Sequence, residues 1–173
     1  MTKNIISKFV TAGILSAGLV ACAPAQETKT ASKEVAPMTM NMHNVGVVTI
    51  PSKHSVDVTI DRMEKMVKAK GLRVFIPINH YQNAKDMGLE MRPNTLLIFG
   101  SPKIGAPIMS ESPTIGLDVP VKALAWQDKD GNVFLSYNDP AYLKDRHGIK
   151  TATAPLDKMA KALAGLTAKA AAE

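Results

Sequence analysis

Hydrophobic and polar positions change period several times along the chain, and each change marks an element. Val45-Gly46-Val47-Val48-Thr49-Ile50 is a β-branched run and predicts a first strand. Ser55 stands where a helix N-cap belongs, just ahead of Val56, Ile60, Met63 and Val67. Their 4-3-4 spacing puts one apolar face on a helix expected over about 56–70, with Gly71 as its stop. Leu72, Val74, Ile76 and Ile78 then alternate with Arg73, Phe75 and Pro77, which predicts a second strand. Proline cannot donate to a ladder, so the outer part of that strand is expected on an edge or at a bulge.

A short helix is expected over about 82–87, ended by Gly88. Residues 95–99 are nearly all apolar and predict a third strand buried on both faces. Residues 100–120 carry three Gly and four Pro, and predict an irregular excursion. Residues 121–127 and 133–137 flank Asp128-Lys129-Asp130-Gly131, a strong hairpin signal. Asp139-Pro140 reads as N-cap and first helical residue of a short helix reaching His147. A last helix begins near Pro155, with Leu156, Met159, Leu163, Leu166 and Ala170 in one stripe. Two heptads are too few for a coiled coil, so this helix is expected to dock on the sheet. The order β-α-β-β-β-β-α predicts an α+β two-layer domain: an antiparallel sheet of about five strands with helices on one face.

The N-terminal pattern concerns address rather than fold. Lys3 and Lys8 precede an uncharged, mostly apolar run over residues 9–21. As a helix that run spans about 20 Å, short of a ~30 Å hydrocarbon core but right for a signal peptide. It ends in Leu19-Val20-Ala21-Cys22, which resembles the bacterial lipobox. The resemblance implies a diacylglyceryl group on the Cys22 thiol, cleavage before Cys22, and acylation of the new amine by a palmitate-like chain. Ala23 resembles lipoproteins released to the outer membrane. Residues 22–43, rich in Ala, Thr, Pro, Lys and Glu, then read as a lipid-anchored flexible tether. The expected organisation is 1–21 signal peptide, 22–43 tether and 44–173 single domain, held at the outer membrane and facing the periplasm.

Cys22 is the sole cysteine, which excludes a disulfide framework and a Cys-based metal site. The formal charge of +6 is spread along the chain. Its densest group, Lys65, Lys68 and Lys70, belongs to a helix and suits a solvated face better than nucleic acid.

Five segments carry a family resemblance. They are Ile78-Asn79-His80; Leu89 through Arg92-Pro93; Phe99-Gly100-Ser101-Pro102-Lys103; Leu117-Asp118-Val119-Pro120; and Tyr137-Asn138-Asp139-Pro140. In order and spacing they resemble the domain of unknown function 302 family, across about residues 45–170. The resemblance implies a fold similar to TATA-binding-protein-like α+β domains, and a homodimer. Two positions depart from the family pattern. Asn79 stands where the family commonly has Asp, and Ser101 where it commonly has Asn. If that Asp orients the following histidine, Asn79 weakens an acid–base role for His80.

Among candidate sites, His80 at a strand end can bind a ligand, take a proton or ligate a metal. Arg92, extended ahead of Pro93, can join Lys103 in holding an anion near it; pairing with Glu90 or Asp86 is the competing role. Tyr137, with Asn138, Asp139, Arg146 and His147, surrounds the short helix; there Asp139 suffices as a cap, and His147 suits the helix dipole. The segment 100–105 lacks the Gly-Lys-Ser/Thr ending of a phosphate loop, and Pro102 removes an N–H donor, so a nucleotide site is excluded. Met38, Met40, Met42 and His43 offer soft ligands for Cu(I) or Ag(I), against the simpler role of linker. No Ser/His/Asp set is assembled along the chain, and no catalytic residue or resident cofactor is expected.

The function expected is a membrane-anchored, extracytoplasmic domain that binds a small ligand or a periplasmic protein around His80, Arg92 and the 100–109 loop. The alternatives are a periplasmic Cu(I)/Ag(I)-binding protein using residues 38–43, and a small hydrolase-like enzyme with His80 as general base.

Overall fold

The computed structural model describes residues 45–172. The expected signal peptide, Cys22, the whole of the expected tether and the set Met38, Met40, Met42 and His43 lie outside the described residues.

Five strands form one antiparallel sheet: β1 (Val47–Ser52), β2 (Arg73–Asn79), β3 (Asn94–Gly100), β4 (Val121–Gln127) and β5 (Val133–Asn138). Their spatial order is β1-β5-β4-β3-β2. Five helices accompany them: α1 (Val56–Ala69), α2 (His80–Asp86), α3 (Pro102–Glu111), α4 (Pro140–Arg146) and α5 (Thr153–Ala171). A 3-10 turn, Pro113–Leu117, follows α3. The expected α+β architecture is therefore present.

The core lies between the sheet and a layer made by α1 and α5. Ser55 caps α1 by accepting from the Val58 N–H, and Val56, Ile60, Met63 and Val67 are buried as their spacing requires. Each such side chain contributes about 1.5–3 kcal/mol on burial. From α5, Leu156, Met159, Leu163, Leu166 and Ala170 join the same core. The sheet supplies Leu97, Phe99, Val121, Ala123, Ala125 and Leu135. Arg62 of α1 ties the layer together, donating to the carbonyls of Lys169, Ala170 and Ala172 at the end of α5 at 2.9–3.0 Å. Those carbonyls have no partner within the helix, so a guanidinium fork is well matched to them.

Three expectations need correction. Residues 95–99 are buried on one face only: Thr95, Leu97 and Phe99 face the helices, whereas Leu96 and Ile98 are half-buried on the other side. The reason is that α1 and α5 pack over the first face, where the core cluster lies. The even alternation through 72–78 is broken by a bulge between Val74 and Ile76. Val74 packs toward the core, while Ile76 and Ile78 pair with Ile98 and Leu96 on the open face. Residues 100–120 are also more regular than their Gly and Pro content implies. Pro102 opens α3, where its missing N–H costs nothing, and Pro107 is accommodated inside the helix on an exposed side.

Candidate functional site

The sheet has two poles, and they divide the sequence-predicted residues. At one pole Asn79 pairs with Thr95, and the chain turns into α2. His80 is the first residue of α2 and is half-buried. Asn79 caps that helix, its Oδ1 accepting from the Gln82 N–H at 2.8 Å. A capping oxygen is what an aspartate would also provide, so the departure at this position leaves the local fold satisfied. Arg92 is exposed just before β3, beside a shallow groove lined by Tyr81, Lys85, Leu89, Glu90 and Met91.

Lys103 lies at the opposite pole, in the first turn of α3, where Gly100 pairs with Arg73. The seven residues of β2 separate the poles, about 20 Å at ~3.3 Å per residue. Lys103 therefore does not converge with His80 and Arg92. Tyr137 sits elsewhere again, paired with Val48 and Ala123 and packed against the core. Burial pushes its phenol pKa up, and the charge of Asp139 adds to that, while a hydrogen bond with Thr167 opposes it.

The second pole gathers three of the five motif segments: the residues after Phe99, those before Val121 and those around Asn138. Two features are built there. The first is an apolar cavity of about 180 Å³ between the ends of β2 and β3, α3 and α5. Phe75, Phe99, Ile104, Met109, Val119 and Leu163 line it, with Gly100, Ser101 and Gly105 at its wall. Its size exceeds the ~150 Å³ at which an apolar protein cavity stays dry and takes up benzene. A side chain placed at Gly105 would start 3.5 Å from the Met109 methyl, an ordinary contact. Phe75, the bulged residue, also lies 4.9 Å beneath the Arg73 guanidinium.

The second feature is a polar chain that joins Asn138, Arg146 and His147, grouped already by the sequence, to Asp118 and Thr114, which sequence reasoning did not connect to them. His147 Nε2 lies 2.7 Å from Asp118 Oδ2, and His147 Nδ1 lies 3.0 Å from Thr114 Oγ1. The histidine side chain is 4% exposed and the aspartate 8%. Asn138 Nδ2 donates to Asp118 Oδ1 at 3.3 Å, and Arg146 approaches Asp118 at 3.6 Å. Ser112 Oγ continues the line, 3.2 Å from Thr114 Oγ1. Thr114, His147 and Asp118 thus form a hydroxyl–imidazole–carboxylate set. It also makes His147, rather than His80, the histidine held between an acid and a hydroxyl. The sequence signals for it were that Asp118 and Asn138 both belong to motif segments, and that Asn138, Arg146 and His147 group around the short helix. Among the described residues, no group of three or more His, Cys, Asp or Glu side chains is arranged to hold a metal ion.

Comparison with known proteins places this geometry in context. A chain from Bacillus stearothermophilus, "uncharacterized conserved protein DUF302", superposes with a TM-score of 0.65 at 20% identity, covering 72% of this chain and 98% of that one. That likeness concerns the fold. Two "Fluoride-specific ion channel FluC 1" proteins, from Brucella suis and Brucella abortus, are each 46% identical over 104 residues, or 60% of this chain. The chain spans only 41% and 38% of their lengths. No helix among the described residues is long and apolar enough to cross a membrane. The family profile "Domain of unknown function DUF302" matches residues 48–166, and the chain belongs to that family.

Proposed function

We propose that this chain is a lipid-anchored extracytoplasmic domain that binds a small apolar ligand in the cavity beneath α3. The observation that carries the reading is the cavity itself. It is a partly open cleft lined by apolar side chains from β2, β3, β4, α3 and α5, and at about 180 Å³ it suits a ligand of roughly six or seven carbons. Burial of apolar surface in a poorly hydrated pocket supplies the driving force. His80 and Arg92, at the other pole, form no part of this site. The channel activity named for the Brucella relatives belongs to those longer proteins. The anchor rests on the lipobox at Cys22.

The test is a heteronuclear NMR titration with benzene and with hexanol. Saturable shifts confined to residues lining the cavity are expected, and Gly105→Leu, which fills it, abolishes them. Shifts that persist unchanged in Gly105→Leu, or no saturable binding of either probe, would overturn the reading. Anchoring is tested separately: Cys22→Ser leaves the protein in the soluble fraction and without lipid by mass spectrometry.

A second reading, that two copies pair, is supported by the open face of the sheet. Cross-strand partners place Ile76, Ile78, Leu96, Ile98, Leu124, Trp126 and Phe134 together there, with Ile76 51% exposed. Five strands at ~4.8 Å spacing and ~20 Å length give each copy about 500 Å² of flat contact before side-chain relief. That reaches the ~1,000 Å² total at which specific interfaces begin. A second copy presents the same apolar face by two-fold symmetry.

A further inference from the structure

We infer that Thr114 is a nucleophile activated by His147, able to accept an acyl group from a small activated ester at the surface. None of Thr114, His147 and Asp118 lines the apolar cavity. In the arrangement of Asp118, His147 and Thr114 both ring nitrogens are engaged, one by a carboxylate and one by a hydroxyl. With Asp118 ionised, Nε2–H donates to Oδ2, which leaves Nδ1 as the acceptor for the Thr114 hydroxyl proton. That is the logic by which an acid-oriented imidazole activates a hydroxyl, here with the two ring nitrogens in exchanged roles.

The surroundings fix the pair. His147 is the C-cap of α4, its backbone N–H bonded to the Leu143 carbonyl at 3.1 Å, and its ring is held by Asp118 on one side and Thr114 on the other. Thr114 lies in the 3-10 turn, which is held by Ile115 N–H to Ser112 O at 3.2 Å and anchored by buried Ile115. The base and the acid are buried, while Thr114 is exposed and open to a substrate from solvent. Ser112 can donate to Thr114 Oγ1, freeing its proton to point at Nδ1. Arg146 brings positive charge to the acid rather than to Thr114. Lys122 Nζ is likewise engaged, donating to the Leu117 carbonyl at 2.9 Å, so neither cation bonds the Thr114 hydroxyl, and a neutral acyl carbon is the simplest electrophile for it.

In the first step Thr114 Oγ1 bonds to the acyl carbon as its proton passes to Nδ1. The bond from the acyl carbon to the leaving oxygen breaks, and that oxygen departs with the electron pair. The imidazolium returns its proton to the leaving group or to solvent. In the second step a water gives its proton to Nδ1 and bonds to the acyl carbon. The ester bond to Oγ1 breaks, and Thr114 recovers the proton. Thr114 and His147 handle the reacting atoms; Asp118 is a positioning residue.

The probe is p-nitrophenyl acetate with the full chain. Release of p-nitrophenolate and a single acetyl group on the peptide containing Thr114 are expected. Thr114→Val, an exposed and nearly isosteric change, removes both. His147→Gln lowers the rate by about 10²-fold or more, the usual worth of a general base. Asp118→Asn lowers it comparably and alters its pH profile, which a packing role would not do. The acetyl group on lysine instead, or release unaffected by Thr114→Val, overturns the inference.

Discussion

At the residue scale, Glu111 shows how one carboxylate can organise a turn. It accepts from the N–H groups of Lys150, Thr151 and Ala152 and from the Thr151 hydroxyl, just ahead of α5. Ala152 itself offers no capping side chain. The hydrogen bonds, from the Thr151 side chain first, lower the Glu111 pKa from 4.5 to about 2. The folded pKa is depressed, so this contribution to stability is present above about pH 4.5 and is lost as pH falls toward 2. Glu111→Gln should therefore lower the unfolding midpoint at pH 7, and the gap from wild type should close by about pH 2. Thermal melts at both pH values check this. Arg62→Ala removes three hydrogen bonds to the end of α5 and is expected to cost about 1–3 kcal/mol by urea unfolding.

At the element scale, legibility followed the range of the determining contacts. α1, the β4–β5 hairpin and the Asp139 cap of α4 are set within a few residues, so capping chemistry, spacing and turn chemistry revealed them. The bulge in β2 is different, because only pairing with β3 decides which side chains turn inward. α3 was hidden by its own composition: two prolines and a glycine hid a helix that buries Gly105 and Ile108. Pro107 deprives that helix of a hydrogen bond to the Lys103 carbonyl. Pro107→Ala should raise stability by about 1 kcal/mol, part of the gain being offset by a freer unfolded chain. A rise of a few degrees in the thermal midpoint is the expected reading.

At the scale of the whole molecule, the candidate site was the least legible part. His147 and Asp118 are 29 residues apart, and Thr114 and His147 are 33 apart. No local pattern links them, although motif segments already marked Asp118 and Asn138. Sequence reasoning set His80, Arg92 and Lys103 together because each lies near a strand end; it had no means of knowing that the ends face opposite ways. The open sheet face is also a property of the assembled fold. If two copies pair through it, Leu124→Glu should shift the light-scattering mass from dimer to monomer, with the circular dichroism spectrum retained. A wild-type mass equal to one chain would remove this part of the proposal.

The register of β1 carries a mechanical consequence. The chain enters the sheet at Val47, opposite Asn138, and runs to Ser52, opposite Val133, along an edge strand bonded to β5 alone. A force applied at Val47 along the strand axis loads its ladder in shear. All six registered positions resist together, whereas a peeling force would break them one after another. The same strand end lies at the pole that carries the cavity and Thr114. Tension on the leading segment would be felt first where the proposed chemistry is sited.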